Sequence, residues 1–251
     1  MEKVMAIKNL KKIYGVHGPN PKVAINDISL QIDQGDFVCI MGPSGSGKTT
    51  LVNILSTIDE ATSGKVILLG QDISNLSEKD KASLRKSEIG FIFQNYNLIE
   101  TLKNKDNILF SLRLNNVSLD KQQQALIKIS KKLGIEDIID KFPFECSGGQ
   151  QQRVAIARAL ITNPKILFAD EPTGNIDSLS ARELMELFVK INQENNTTIV
   201  MVSHDSFVAS YSNKLYYIVD GKIKNLLNKD NLSQFDYYSE IVKITTQIDF
   251  R

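Results

Sequence analysis

Near its start the chain alternates apolar and polar residues. In AINDISLQI (24–32) the apolar positions Ile28, Leu30 and Ile32 recur every second residue, which predicts a half-buried antiparallel strand. The pattern then changes. In DFVCIM (36–41) every residue after Asp36 is apolar and Gly42 follows, so a strand buried on both faces is predicted to feed a turn. KVILLG (65–70) and IGFIFQ (89–94) predict two further strands. From about 97 to 145 strand-like runs vanish, and Leu126, Ile129 and Leu133 fall at helical spacing with lysines between them. A helical subdomain over 97–162 is expected, ending in a long helix over 148–162.

After it come a buried strand KILFAD (165–170), an amphipathic helix carrying Leu184, Leu187, Phe188 and Ile191, and a strand in TTIVMVSH (197–204). LYYIVDGKI (215–223) reads as a hairpin turning at Asp220-Gly221. Strands alternating with helices imply an α/β fold with a mainly parallel sheet. The tail over 225–251 mixes charges with FDYY and IVKITTQIDF; packing on its own domain is expected, against the alternatives of a dimer contact or a membrane partner. No internal repeat or low-complexity tract divides the chain, so 1–251 is read as a single domain.

Composition narrows the function classes. A length of 251 residues can bury a sizeable core, and 42% hydrophobic with 24% charged residues is ordinary for a globular protein. The net charge of +1 gives no global field to favour nucleic acid or an anionic membrane, so no nucleic-acid partner is expected. Cys39 and Cys146 lie far apart, which gives no metal framework and suggests a reducing compartment. The opening MEKVMAIKNLKK lacks the features of a signal peptide, and the longest apolar runs, such as IVMV (199–202), are too short to span a bilayer. Work at a membrane would therefore need another, spanning protein.

GPSGSGKTT (42–50) changes the picture most. It matches GxxxxGK[ST] between a predicted buried strand and the apolar-spaced LVNIL. The glycines let backbone N–H groups of Gly42, Ser44, Gly45, Ser46 and Gly47 close around a phosphate, with Pro43, which has no N–H, as a loop member only, and the following helix presents its positive end. Lys48 can reach the β- and γ-phosphates, the Thr49 hydroxyl can ligate Mg²⁺, and Thr50 completes the motif. At the end of KILFADE stand two carboxylates, Asp170 and Glu171. Alternation along a strand points them to different sides, Asp170 toward Mg²⁺ and Glu171 toward an attacking water. A plain strand end is the alternative, and alone it would prevail. These two motifs name a nucleotide ligand and leave kinases, GTPases, recombinases and transport ATPases open.

Together with the remaining motifs the chain resembles the ATPase subunits of ABC transporters over about residues 4–224. SGGQ, that is Ser147, Gly148, Gly149 and Gln150, resembles the signature; Gln94 the Q-loop glutamine; GNID (174–177) the D-loop; His204 the switch histidine; and Tyr14 the aromatic residue that stacks on adenine. The resemblance implies a P-loop NTPase core with an N-terminal antiparallel β subdomain and an inserted helical subdomain. It implies ATP and Mg²⁺ as ligands, with Thr49, Gln94 and Asp170 at the metal and Glu171, His204 and Lys48 in catalysis.

In that arrangement SGGQ faces the γ-phosphate of ATP held by a second copy. Ser147 can cap its helix, and Gly148 and Gly149 leave the first N–H groups uncovered; a buried helix start is the plainer alternative. A structural histidine, a core tyrosine and a surface glutamine are likewise the plainer readings of His204, Tyr14 and Gln94. His17, the other histidine, sits in a loop with no constellation around it.

The expected partners are a membrane permease and a homodimeric second copy, at the cytoplasmic face of a bacterial cell membrane, with membrane contact through the permease alone. Tyr96 and Leu98 to Leu102 are candidate permease contacts. Cys146 stands where the signature is usually preceded by leucine. DEPTGNID, NILSTIDEATSG (53–64) and FIFQNYNLIETL (91–102) resemble the macrolide and lipoprotein-release branch, and within it the bacitracin-type peptide-resistance ATPases. An ATP-driven mechanical or sensing clamp acting through a membrane partner is the competing reading. A small-molecule kinase fits the phosphate loop but leaves SGGQ and His204 without a role.

Overall fold

A computed structural model of the chain describes residues 3–16 and 18–249, so His17 lies outside the described residues. The chain opens with two long strands, β1 (Lys3–Tyr14) and β2 (Lys22–Asp33), paired antiparallel. Strand β3 (Phe37–Met41) leads into helix α1 (Lys48–Leu55), after which β4 (Ser63–Leu68) and β5 (Gln71–Asp72) return to β1. The four form an antiparallel sheet in the order β2-β1-β4-β5.

Helix α2 (Glu78–Ser87) and strand β6 (Ile89–Ile92) then precede three helices, α3 (Asn104–Leu114), α4 (Leu119–Leu133) and α5 (Gly148–Leu160). The chain returns through β7 (Ile166–Asp170), α6 (Ser178–Asn195), β8 (Thr198–Val202), α7 (Ser206–Ala209), β9 (Lys214–Val219), β10 (Lys222–Asn228) and α8 (Gln234–Asp249). Its second sheet runs β10-β9-β3-β8-β7-β6, with all pairings parallel except the β9–β10 hairpin. The turn of that hairpin, Asp220-Gly221, has positive φ at both residues (49° and 70°), the geometry that lets two twisted strands join tightly.

The unbroken apolar run of β3 has a direct cause. Val38 and Ile40 pack with Ile25, Ile28, Leu51 and Leu55 between the two sheets. Phe37, Cys39 and Met41 point into the opposite core, with Leu167, Met201, Ile156 and Phe188. A strand covered on both faces has no polar face to display. The same second core takes in Leu109 and Leu112 of α3, Leu126 and Leu133 of α4, and Tyr237 and Ile241 of α8. The tail is thus anchored: Tyr237 is fully buried, and its hydroxyl donates to Leu227 O at 3.3 Å.

Three expectations need correcting. The strand over IGFIFQ stops at Ile92, where its pairing with Ala169 of β7 ends the ladder, and Gln94 stands in the turn beyond it. Glu171 is not a strand residue either: β7 ends at Asp170, and Glu171 turns the backbone left-handed with φ 48°. The two carboxylates diverge through that kink and not through strand alternation. The long helix ends at Leu160, short of the expected 162.

Candidate functional site

The loop over 42–50 leaves the end of β3, the central strand position where the crevice of a parallel sheet forms. It is held from two sides. Gly47 has φ 99°, and a Cβ there would meet Ala24 O of β2 at 2.3 Å, so backbone lies where a side chain would be. From the hairpin turn, the Gly221 N–H donates to Ser46 O at 3.1 Å. Helix α1 begins directly at Lys48 with no side chain capping its first turn, which leaves its amides to an anion.

A groove of about 610 Å³ opens over this loop. Tyr14, Lys22, Ala24, Gly42, Pro43, Ser44, Gly45, Gly47, Lys48, Thr49, Thr50, Gln94, Glu171 and His204 line it. Ser46, also in the loop, is buried. The Lys48 ammonium, itself buried, donates to Gly42 O at 2.9 Å and Pro43 O at 2.8 Å. Burial pushes its pKa down, while the charges of Glu171 and Asp170 oppose the shift. A half-desolvated cation in a glycine-rich loop is well matched to a phosphate.

Asp170, at the end of β7, reaches the same place from below: Thr49 Oγ1 donates to its Oδ1 at 3.4 Å. Burial, and then the neighbouring Glu171 charge, push the Asp170 carboxyl upward in pKa. A hydroxyl and a carboxylate side by side form the hard oxygen donor set that Mg²⁺ takes together with substrate phosphates. One residue on, the Glu171 N–H donates to Val202 O at 3.0 Å, tying the turn to the end of β8. His204 lies two residues beyond that strand end, and its Nδ1 sits 2.7 Å from Glu171 Oε2. The parallel pairing of β7 with β8 therefore brings this carboxylate and this imidazole together.

Tyr14, at the end of β1, stands at the groove's mouth. Its hydroxyl donates to Asp59 Oδ2 at 2.7 Å, and the Lys12 ammonium lies 4.7 Å from its ring centroid. Asp59 also accepts from Lys12 Nζ at 2.6 Å, so a small polar cluster fixes the ring. Asp59, Lys22 and Ala24 were not singled out by the sequence reading. Alternation along β2 puts Lys22 and Ala24 on one face, but it does not say what that face meets.

Ser147, Gly148, Gly149 and Gln150 are absent from the groove's lining. They form the N-terminus of α5, where Ser147 Oγ accepts from Gln150 N at 3.3 Å and Gln150 Oε1 accepts from Ser147 N at 3.0 Å. This capping box uses the Ser147 and Gln150 amides and no others. The fold thus brings together every expected site residue except the signature.

A parallel sheet whose central strand feeds a phosphate loop, with a second antiparallel sheet and an inserted helical layer, defines the ATP-binding cassette class. The chain belongs to the ABC transporter family, whose sequence profile matches residues 25–174, and it is an ATP-binding, ATP-hydrolysing cassette of that family. It is 42% identical over 240 residues to the bacitracin export ATP-binding protein BceA of Halalkalibacterium halodurans, covering 96% of this chain and 94% of that one. It is 39% identical over 248 residues to the ABC transporter ATP-binding protein YxdL of Bacillus subtilis, covering 99% and 95%. Among solved structures, the dimeric post-hydrolysis state of the cassette MJ0796 with ADP and Pi superposes with a TM-score of 0.84 at 36% identity, over 89% of this chain and 98% of that one.

Proposed function

We propose that this cassette drives a membrane permease that exports, or confers resistance to, bacitracin-type antimicrobial peptides. The observation that carries the mechanism is the one-sided groove: its own P-loop, Glu171, His204 and Tyr14 line it, Asp170 stands beside Thr49, and Ser147–Gln150 lie elsewhere. Two copies set head-to-tail complete each other. ATP then bridges the Lys48 loop of one copy and the Gly148 and Gly149 amides of the second, which supplies the closing force.

In this reading the Tyr14 ring stacks on adenine, and Gly42 to Thr50 cradle the phosphates. The Glu171 carboxylate accepts a proton from a water in line with the γ-phosphate. His204 orients that carboxylate and donates toward the transferred group, while the Lys48 charge stabilises it. Thr49, Asp170 and Gln94 would hold Mg²⁺, which neutralises charge on the phosphates when bound. Loss of the γ-phosphate removes the bridge and the copies separate.

The stroke passes to the permease. Among the described residues no helix is long and apolar enough to cross a membrane. An apolar groove of about 510 Å³ between β6, α2, α3 and α5 includes Ile89, Phe91, Phe93, Phe110 and Leu114 and is a suitable seat for a permease segment. Of the segment 96–102, Asn97 and Ile99 line this groove, whereas Leu98 packs against the core. Identity along nearly the whole length of the bacitracin export protein supports the peptide branch.

The test is ATP turnover in membranes holding the chain with its permease. Bacitracin should raise turnover there and leave the isolated chain unaffected. A peptide-indifferent complex would keep the ATPase and remove the peptide assignment.

A further inference from the structure

The segment after β6 joins two cavities. Gln94 lines the phosphate groove, and Asn97, three residues on, lines the apolar groove. Between them the backbone is forced. Tyr96 and Asn97 have successive positive φ values of 59° and 48°. Asparagine tolerates the left-handed region, but tyrosine does not, and two such residues in a row need outside restraint.

The restraint comes from α5. Arg158 Nη2 donates to Tyr96 O at 2.7 Å and Nη1 to Asn97 O, so one planar guanidinium grips both left-handed carbonyls. No carboxylate pairs with Arg158 among the described residues, and burial pushes its pKa down. A partly buried cation without an anion is costly to keep unless its hydrogen bonds serve something. From the opposite side Asn175 Nδ2 donates to Gln94 O at 2.9 Å, and the Tyr96 hydroxyl donates to Asn175 O at 3.3 Å. Arg158 also lines the apolar groove, so an occupant there meets the clamp itself.

We propose that Arg158 is a positioning residue that holds the 94–97 turn in a strained state and thereby keeps Gln94 at the phosphate groove. The inference rests on the reading of Gln94 as a site residue. When the clamp lets go, the Tyr96–Asn97 backbone relaxes out of the left-handed region and carries Gln94 away. The apolar groove and the hydrolytic site are then two ends of one short spring.

The test uses the purified full chain and measures kcat and KM for ATP. Arg158→Ala should lower kcat about tenfold, equivalent to about 1.4 kcal/mol, with KM within about twofold. Glycine at 96 relieves the strain and alanine does not, although both remove the ring. Arg158→Ala with Tyr96→Gly should therefore recover most of the loss, and Arg158→Ala with Tyr96→Ala should not. Arg158→Lys keeps the cation and the fold but loses the two-pronged grip, and it should show a smaller loss with the same rescue.

Amide exchange over 94–102 should quicken in Arg158→Ala whatever Gln94 does. Wild-type turnover and exchange in the Arg158 variants, or equal rescue by glycine and alanine, would overturn the proposal. Gln94→Ala separates the premise: if it leaves kcat unchanged while exchange still quickens in Arg158→Ala, the role of Gln94 fails and the clamp stands.

Discussion

His204 Nδ1 and Glu171 Oε2 stand 2.7 Å apart at the ends of two parallel strands, with the imidazole largely exposed and the carboxylate mostly covered. This geometry suits a base that is held in place by its neighbour. The carboxylate keeps one oxygen for the histidine and leaves the second for a water. Glu171→Gln preserves shape and removes the proton acceptor. It is expected to bind ATP and to dimerise with it, while turnover falls by about a thousandfold. Wild-type turnover in that variant would place the base elsewhere; stopped turnover with intact ATP binding supports the assignment.

Asp170 should be a residue that the fold tolerates at a cost. Its pKa is raised by burial and by the Glu171 charge. The sign follows: below the unfolded value of about 3.9 the group is neutral in both states and costs nothing. As pH rises from there to the raised folded value, the unfolded chain ionises first and stability is lost, and above the folded value the full cost remains. Asp170→Asn should therefore melt about 2 °C higher than the wild type at pH 7 without nucleotide. That gap should shrink as the pH approaches 4, even as turnover is lost. A lower melting temperature at pH 7 would contradict the charge argument.

Tyr14 is oriented through Asp59, so the two should act as one unit. Tyr14→Ala is expected to raise KM for ATP about tenfold with little change in kcat, the size of a lost aromatic stack. Asp59→Ala and Tyr14→Phe each cut the 2.7 Å tie and leave the ring in place. Each should raise KM by about threefold, and together they should do no more than either alone. Additive effects in the double variant would show that Asp59 acts by another route.

The capping box at the signature gives a prediction that separates fold from function. Ser147→Ala removes one cap hydrogen bond and should destabilise the chain by about 1 kcal/mol. Its effect on nucleotide-dependent dimerisation should be larger than that loss explains, because the cap sets the direction of the first α5 amides. An unchanged dimer with a destabilised monomer would confine Ser147 to the fold.

What the sequence disclosed depended on how far each signal reached. The run over β3 and the Asp220-Gly221 turn were legible because burial on both faces and a two-residue hairpin are written in adjacent residues. Helix α2 was not: EKDKASLRKS buries only Lys81 and Leu84, and Lys81 is held by Glu60 and Glu78, so no apolar period marks it. Helix α8 was missed for a related reason, since FDYY and IVKITTQIDF hide Tyr237 and Ile241 among polar neighbours.

The motif residues of the site were legible, because a phosphate loop and the residues at strand ends keep short, local patterns. Their supports were not. Asp59, Asn175 and Arg158 act across 45, 81 and 62 residues of chain, and nothing local announces such pairings.

The central claim is that one copy holds half a reaction centre. Turnover per chain, measured with the purified protein at saturating ATP across a wide dilution series, tests it most directly. A composite site predicts that activity per chain falls as the protein is diluted below its dimerisation constant, and that Glu171→Gln sediments as a dimer with ATP. Activity per chain that stays constant at dilutions where only single copies sediment would contradict it.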